Sequence, residues 1–135
     1  MRILILNKFK TLNHTADITV RIYGNNPDEI LLNSISTLAT LFFKNRRKED
    51  IFHKTLKLPE RVDPSLIISI LNMIISDLET DGVLYYEGSK SNLTLTLDGY
   101  KPRKNLKKRN EIKAATFHNI PNNFVGNHID ITFDV

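Results

Sequence analysis

Apolar and polar positions along the chain follow two different periods. After "NNPDE", the residues Ile30, Leu31, Ile35, Leu38, Leu41 and Phe42 recur at helical spacing through about Phe43. Asn26 reads as the N-cap, with Pro27 at the first helical position and Asp28 and Glu29 in the first turn, where acids complement the helix dipole. "RVDPS" repeats the device, with Asp63 as cap and Pro64 following. Leu66, Ile67, Ile70, Leu71, Ile74, Ile75 and Leu78 then trace a second apolar stripe, ended by Asp81 and Gly82. The remaining segments are β-rich and most alternate with period two: Ile3 to Leu6, Ala16 to Tyr23, Thr55 to Leu58, Val83 to Tyr86, Leu93 to Leu97, Glu111 to Phe117 and His128 to Val135. The order β, β, α, β, α and then four strands predicts an α+β fold, with two helices packed on mostly antiparallel sheet and the late strands in a meander or sandwich.

The alternation also assigns faces. In "TADITVRIY", Ala16, Ile18, Val20 and Ile22 share the inward parity, which leaves Thr15, Asp17, Thr19 and Arg21 outward. In "HIDITFDV", Ile129, Ile131, Phe133 and Val135 face one way and His128, Asp130, Thr132 and Asp134 the other. His14 has the inward parity, at the mouth of its strand.

Composition narrows the function classes. At 135 residues, with 41% hydrophobic and 25% charged residues, the chain has ordinary globular proportions, and a single domain over 1–135 is expected. The absence of cysteine removes disulfides, thiolate nucleophiles and cysteine zinc sites, leaving oxygen and imidazole ligands. "MRILILNKFK" lacks the pattern of a signal peptide, and "LIISILNMII" is too short and too interrupted to span a bilayer. A cytoplasmic protein without a membrane role is expected. No P-loop, dinucleotide fingerprint, GxSxG or HExxH occurs.

The net charge of +4 is local. Residues 101–109, "KPRKNLKKR", carry six basic side chains, Lys101, Arg103, Lys104, Lys107, Lys108 and Arg109, and removing them leaves 13 basic against 15 acidic residues. Such a loop can contact RNA phosphates or simply remain solvated, with Tyr100 the neighbouring aromatic available to stack a base. Lys113, in "EIKAATFH", fits an edge strand guarded by a lysine; a catalytic role would require burial or a cationic neighbour. Asp17 and Asp134 fit ordinary surface strands. If they met, the crowded carboxylates would call for protons or a hard divalent cation. A metal-dependent hydrolase using His14 as base lacks a visible nucleophile or oxyanion donor.

The landmarks "HTADI", "IYG", "LETDGVLYY", "EIKAATFH" and a closing "FDV", in this order across residues 14–135, resemble the archease family. The resemblance implies an accessory protein, not an enzyme, for the RtcB-type RNA ligase. That GTP- and manganese-dependent ligase acts in tRNA splicing and RNA repair, and the accessory protein promotes its guanylylation and multiple turnover. It further implies a divalent cation, calcium in crystals with magnesium or manganese as alternatives, held by Asp17, Asp134 and Val135. His14, Glu29 and Lys113 are the partner or activation positions by the same resemblance. A second role associated with such proteins is that of a chaperone-like or RNA-binding modulator of a tRNA-modifying enzyme, such as a tRNA methyltransferase. The chain departs from the family where "SILNMII" places Ser69 and Met73 at positions that commonly hold acids, and where the loop before "EIKAATFH" is basic.

Overall fold

The structure, a computed structural model, describes residues 10–11, 17–44, 51–117 and 126–135. The expected strand Ile3 to Leu6, His14 and His118 lie outside the described residues. Seven strands and two helices follow in the order β1 (Lys10–Thr11), β2 (Ile18–Tyr23), α1 (Pro27–Phe42), β3 (Phe52–Lys57), α2 (Pro64–Asp81), β4 (Leu84–Ser91), β5 (Thr94–Tyr100), β6 (Ala114–Phe117) and β7 (His128–Asp134). The fold is α+β, as the patterning predicts. One antiparallel sheet has the order β1-β2-β7-β6 and the other β3-β5-β4. The last four strands therefore do not run on as one meander. They divide two and two between the sheets, because β5 returns to β3 whereas β7 pairs with β2 near the start of the chain.

Both helices are fixed by the caps their sequences carry. Asn26 Oδ1 accepts from the Glu29 N–H at 2.9 Å, satisfying one orphan donor of the helix, and Glu29 Oε1 accepts from the N–H of Asn25, the residue before the cap, at 3.3 Å. Asp63 Oδ1 accepts from the Leu66 N–H at 2.8 Å. At the other end of α2, Gly82 adopts φ 71° and donates its N–H to the Leu78 carbonyl, closing the helix in a left-handed conformation that suits glycine.

Helix α1 packs against strands of both sheets, β4 and β2, and α2 likewise packs against β6 and β4. As a result α1 is buried over most of its circumference, polar residues included. The hydroxyls of Ser34 and Thr37 donate to the carbonyls of Ile30 and Asn33, both at 2.7 Å, and Asn33 Nδ2 donates to the Tyr23 carbonyl, so these side chains enter the core with their donors satisfied. The core proper joins Val20 and Ile22 of β2, Ile131 and Phe133 of β7, Leu31, Ile35 and Leu38 of α1, Leu71 and Ile74 of α2, and Leu84, Leu95 and Leu97 of the second sheet. Asn72, which interrupts the apolar stripe of α2, gives and receives a hydrogen bond with the backbone of Ala115, at 3.0 and 2.9 Å. It thereby occupies the outward-pointing groups of edge strand β6 in the place of a further strand.

The sequence places four strands differently. β3 begins at Phe52 instead of Thr55, and β4 and β5 extend to Ser91 and Tyr100, since their added residues complete a ladder that alternation alone cannot show. β6 begins at Ala114, three residues later than expected. The preceding chain leaves the sheet to cap α1: the Arg109 N–H donates to the Phe42 carbonyl at 2.7 Å and Asn110 Nδ2 to the Leu41 carbonyl at 2.7 Å.

Two expectations about stability follow from these contacts. A Cβ on Gly24 would stand 2.7 Å from both the backbone N and the Cγ1 of Ile30, where α1 turns back on β2. Gly24→Ala should therefore lower the denaturant midpoint more than Gly82→Ala, whose Cβ meets nothing and whose cost is the left-handed backbone alone, about 1–2 kcal/mol. An equal effect of the two substitutions would contradict the close approach. The second concerns alkali. Lys54 Nζ donates to Asp77 Oδ2 at 2.7 Å, which raises its pKa above the ordinary 10.5, and burial raises Tyr85 above 10.0. Both groups hold their protons more tightly when folded, so their contribution is complete below the ordinary values and is lost as pH rises through the folded ones. Urea midpoints should fall at alkaline pH, and less steeply in Lys54→Met than in the wild type.

Candidate functional site

The site is best built from the ladder between β2 and β7. Its register pairs Ile18 with Phe133, Val20 with Ile131 and Ile22 with Ile129 on the buried face, and Thr19 with Thr132, Arg21 with Asp130 and Tyr23 with His128 on the outer face. The outer rows are chemically matched. Thr19 Oγ1 and Thr132 Oγ1 lie 3.0 Å apart, and Arg21 forms a two-pronged bridge to Asp130, Nε to Oδ1 at 2.8 Å and Nη2 to Oδ2 at 3.0 Å. This bridge raises the Arg21 pKa further above its ordinary value and keeps Asp130 engaged with the guanidinium. The rings of Tyr23 and His128 are 5.4 Å apart.

Continuing the same register one step beyond Ile18 and Phe133 sets Asp17 opposite Asp134. Among these outer rows it alone sets two acidic side chains opposite each other. Both residues are half-buried, and the outward parity assigned to each from the sequence is the parity they have. The pair ends the sheet together with the edge strand: β6 pairs Ala114 with Asp134, and the Lys113 N–H donates to the Asp134 carbonyl at 2.8 Å, which brings Val135 alongside Lys113. Lys113 is exposed, at the start of an edge strand, as a guarding lysine would be. Among the described residues no group of three His, Asp or Glu side chains is placed to hold a metal ion. The donors available at this end are thus two carboxylates and the main-chain oxygens of Val135, all hard oxygen donors of the kind that suit calcium, magnesium or manganese.

The basic loop lies at the same end of the molecule. It leaves β5 at Tyr100, caps the last carbonyls of α1 through Arg109 and Asn110, and leads by Lys113 into Asp134. Neither helix has a basic residue in its last turn, so the loop supplies the positive charge that α1's C-terminus favours. Within it, Lys108 Nζ donates to Glu111 Oε2 at 3.2 Å and lies 5.9 Å from the centre of the Phe42 ring. Tyr100 is not available to stack a base. It is 3% exposed and packs edge-on against Tyr86, because its place at the end of β5 turns it into the core. The aromatic that does reach the surface here is Phe52, 37% exposed, with Lys101 Nζ 5.4 Å from its ring centre. Phe52 precedes the strand predicted from Thr55 and shares the parity of the half-buried Lys54 and Leu56, so alternation gives no sign of its exposure.

Glu29 stands elsewhere. It belongs to the cap of α1, beyond the other end of β2 from Asp17, about 20 Å away along a strand of that length. A cleft of about 650 Å³ opens at that far end between the two helix starts, lined by Asn26, Pro27, Asp28, Glu60, Arg61, Val62 and Asp63. Asn26 and Asp63 are occupied there as caps and Asp28 is paired with Lys90 at 2.9 Å. No helix among the described residues is long and apolar enough to cross a membrane.

The chain matches the model of the archease protein family (MTH1598/TM1083) over residues 9–135, and it belongs to that family. Relatives include the protein archease of Thermoplasma acidophilum, 25% identical and covering 94% of this chain and 93% of its own. That of Sulfurisphaera tokodaii is 27% identical, with 96% and 99% covered. Among solved structures, an archease of Thermotoga maritima, described as a possible chaperone, is similar with a TM-score of 0.69 at 24% identity, covering 96% of this chain and 98% of its own. Protein 1598 of Methanobacterium thermoautotrophicum has a TM-score of 0.61 at 17% identity, with 94% and 98% covered. These two likenesses concern the fold.

The facing acids make a prediction that needs no ligand. Like charges directly opposite on a sheet destabilise it, by tenths of a kcal/mol to about 1 kcal/mol. In chelator at low salt, Asp17→Asn should raise the melting temperature, whereas Asp130→Asn should lower it by loosening Arg21. A fall in both variants would mean that Asp17 and Asp134 do not face each other.

Proposed function

We propose that this protein is a non-catalytic accessory factor that activates an RtcB-type RNA ligase in the cytoplasm, promoting guanylylation of the ligase and its repeated turnover in tRNA splicing and RNA repair. The observation that carries the reading is the register that sets Asp17 opposite Asp134, a like-charged row that we read as a place for a divalent cation. Asp17, Asp134 and the main-chain oxygens of Val135 are the residues that would hold it. Calcium, magnesium and manganese all suit such donors. The bound ion would neutralise the two carboxylates and fix the charge and shape of the surface offered to the ligase. Lys113, tied to Asp134 through the backbone, is placed to contact the partner at this end, and His14 shares that assignment from its motif. A role for Glu29 in partner contact would use the opposite end of the molecule, in addition to its work in the helix cap.

A second reading, a chaperone-like or RNA-binding modulator of a tRNA-modifying enzyme such as a tRNA methyltransferase, draws its support from the basic loop. It gives the carboxylate row no special part. The two readings therefore separate by variant.

With limiting protein, GTP and manganese, the wild type should stimulate guanylylation of a cognate RtcB-type ligase, and Asp17→Asn and Asp134→Asn should return it to the level of ligase alone. Calcium should raise the melting temperature of the wild type and of neither variant. Stimulation that survives in both folded variants would remove the cation from the mechanism, and absence of stimulation by the wild type would overturn the activator reading.

A further inference from the structure

We propose that loop 101–109 and Phe52 together form a binding surface for single-stranded polynucleotide, in which a base stacks on the Phe52 ring and lysines of the loop hold the flanking phosphates. The inference goes beyond the ligase reading and does not rest on it, since it concerns what this chain binds by itself.

The argument begins with an exception to burial. Almost every large apolar side chain described enters the core, yet Ile51, Phe52 and Leu106 are 48%, 37% and 38% exposed. Leu106 lies within the basic loop, and Ile51 and Phe52 lie beside its beginning: the ladder pairs Phe52 with Gly99, two residues before Lys101. Gly99 brings no side chain against the ring, and β3 is the outer strand of its sheet, so the ring lies at a sheet border. The Lys101 ammonium, 5.4 Å from the ring centre, completes a pairing of aromatic surface and positive charge.

Charge then selects the occupant. The rest of the chain is slightly acidic, and the loop concentrates six cations in nine residues. Lys108 is committed to Glu111, and the Arg109 backbone to α1. Lys101, Lys104 and Lys107 are exposed, and Lys101 is the one beside Phe52. A polyanion with flat apolar faces satisfies both halves of this surface at once: phosphates meet the ammonium groups and a base covers the ring. Duplex offers the phosphates without the free base, and an acidic protein surface offers neither the flat face nor the regular phosphate spacing.

The experiment is fluorescence anisotropy of a labelled short oligouridylate RNA, with a duplex of equal length and polyglutamate as competitors, across a salt series. Phe52→Ala should weaken binding of the single strand about tenfold, the range expected when one base loses its stacking platform, while Phe52→Tyr retains it. Lys104→Ala combined with Lys107→Ala should lower the salt slope by about 1.4, or about 0.7 for each phosphate no longer neutralised. Melting curves would verify that each variant is folded. Because Phe52→Leu keeps an apolar side chain at the strand edge and loses the ring, wild-type affinity in that variant would overturn stacking. The proposal is equally overturned by absence of binding at low salt, by duplex or polyglutamate competing as well as the single strand, or by an unchanged affinity in Phe52→Ala. Ligase stimulation is read in a separate assay, so the failure of either idea leaves the other to be judged alone.

Discussion

The pairing of β2 with β7 is the constraint on which the rest depends. Six consecutive residue pairs between the beginning and the end of the described chain set which side chains enter the core and which reach the outer face. A slip of one residue by either strand would exchange that strand's sets, sending Val20 and Ile22, or Ile131 and Phe133, outward and burying Arg21 or Asp130. The apolar face forbids that exchange, and the matched rows of threonines and of Arg21 with Asp130 favour the same register from the other side. Once the register is held so firmly, Asp17 and Asp134 are brought opposite each other whether or not their own interaction is favourable. The like-charged row is thus an arrangement that the fold maintains, and it stands out because its neighbours on the same face are complementary.

The helices extend this constraint to the two ends of the molecule. Gly24 lets α1 turn back on β2 without a clash, and α1, about 24 Å long, returns its last carbonyls to the end where β2 begins. The loop that caps those carbonyls must arrive at the same end, and the Lys113 backbone joins it to Asp134. One end therefore gathers the helix C-terminus, the acidic row and the basic loop, while the other holds both helix caps. At that end Glu29 and Asp63 serve the caps, and Asp28 pairs with Lys90. At the opposite end the acids lie in the ladder and the cations mostly in the loop, where both face solvent.

Much of this was legible in the sequence, for identifiable reasons. Caps, prolines at the first helical position and apolar stripes are local signals, and they locate both helices to within a residue or so. Period-two alternation likewise assigned the faces of β2 and β7 and the outward parity of Asp17 and Asp134. Which rows face each other was not legible from pattern, because the ladder joins residues more than 100 positions apart. At three residues tertiary context adds to or overrides the local pattern. Tyr100 reads as an exposed ring beside a basic loop, yet it ends a strand whose last side chain turns inward. Phe52 reads as loop and is the strand residue that leaves its ring at the surface. Asn72 reads as a break in an apolar stripe, although its amide holds the edge of β6.

The departures at Ser69 and Met73 bear on how an acidic row and a basic loop can coexist. Both residues lie on α2, the helix that packs against β6, with Ser69 exposed and Met73 half-buried beside Asn72. Carboxylates on this helix would add negative charge to the face that adjoins the sheet of the acidic row. Their absence leaves Asp17 and Asp134 less reinforced, and Lys113, which follows the basic loop in sequence, is joined to Asp134 through the backbone. A cation bound at the row would then oppose the loop electrostatically, and a polyanion bound at the loop would offset that repulsion. The coupling is reciprocal by thermodynamic necessity: whatever a polynucleotide adds to the affinity for a divalent ion, the ion adds to the affinity for polynucleotide.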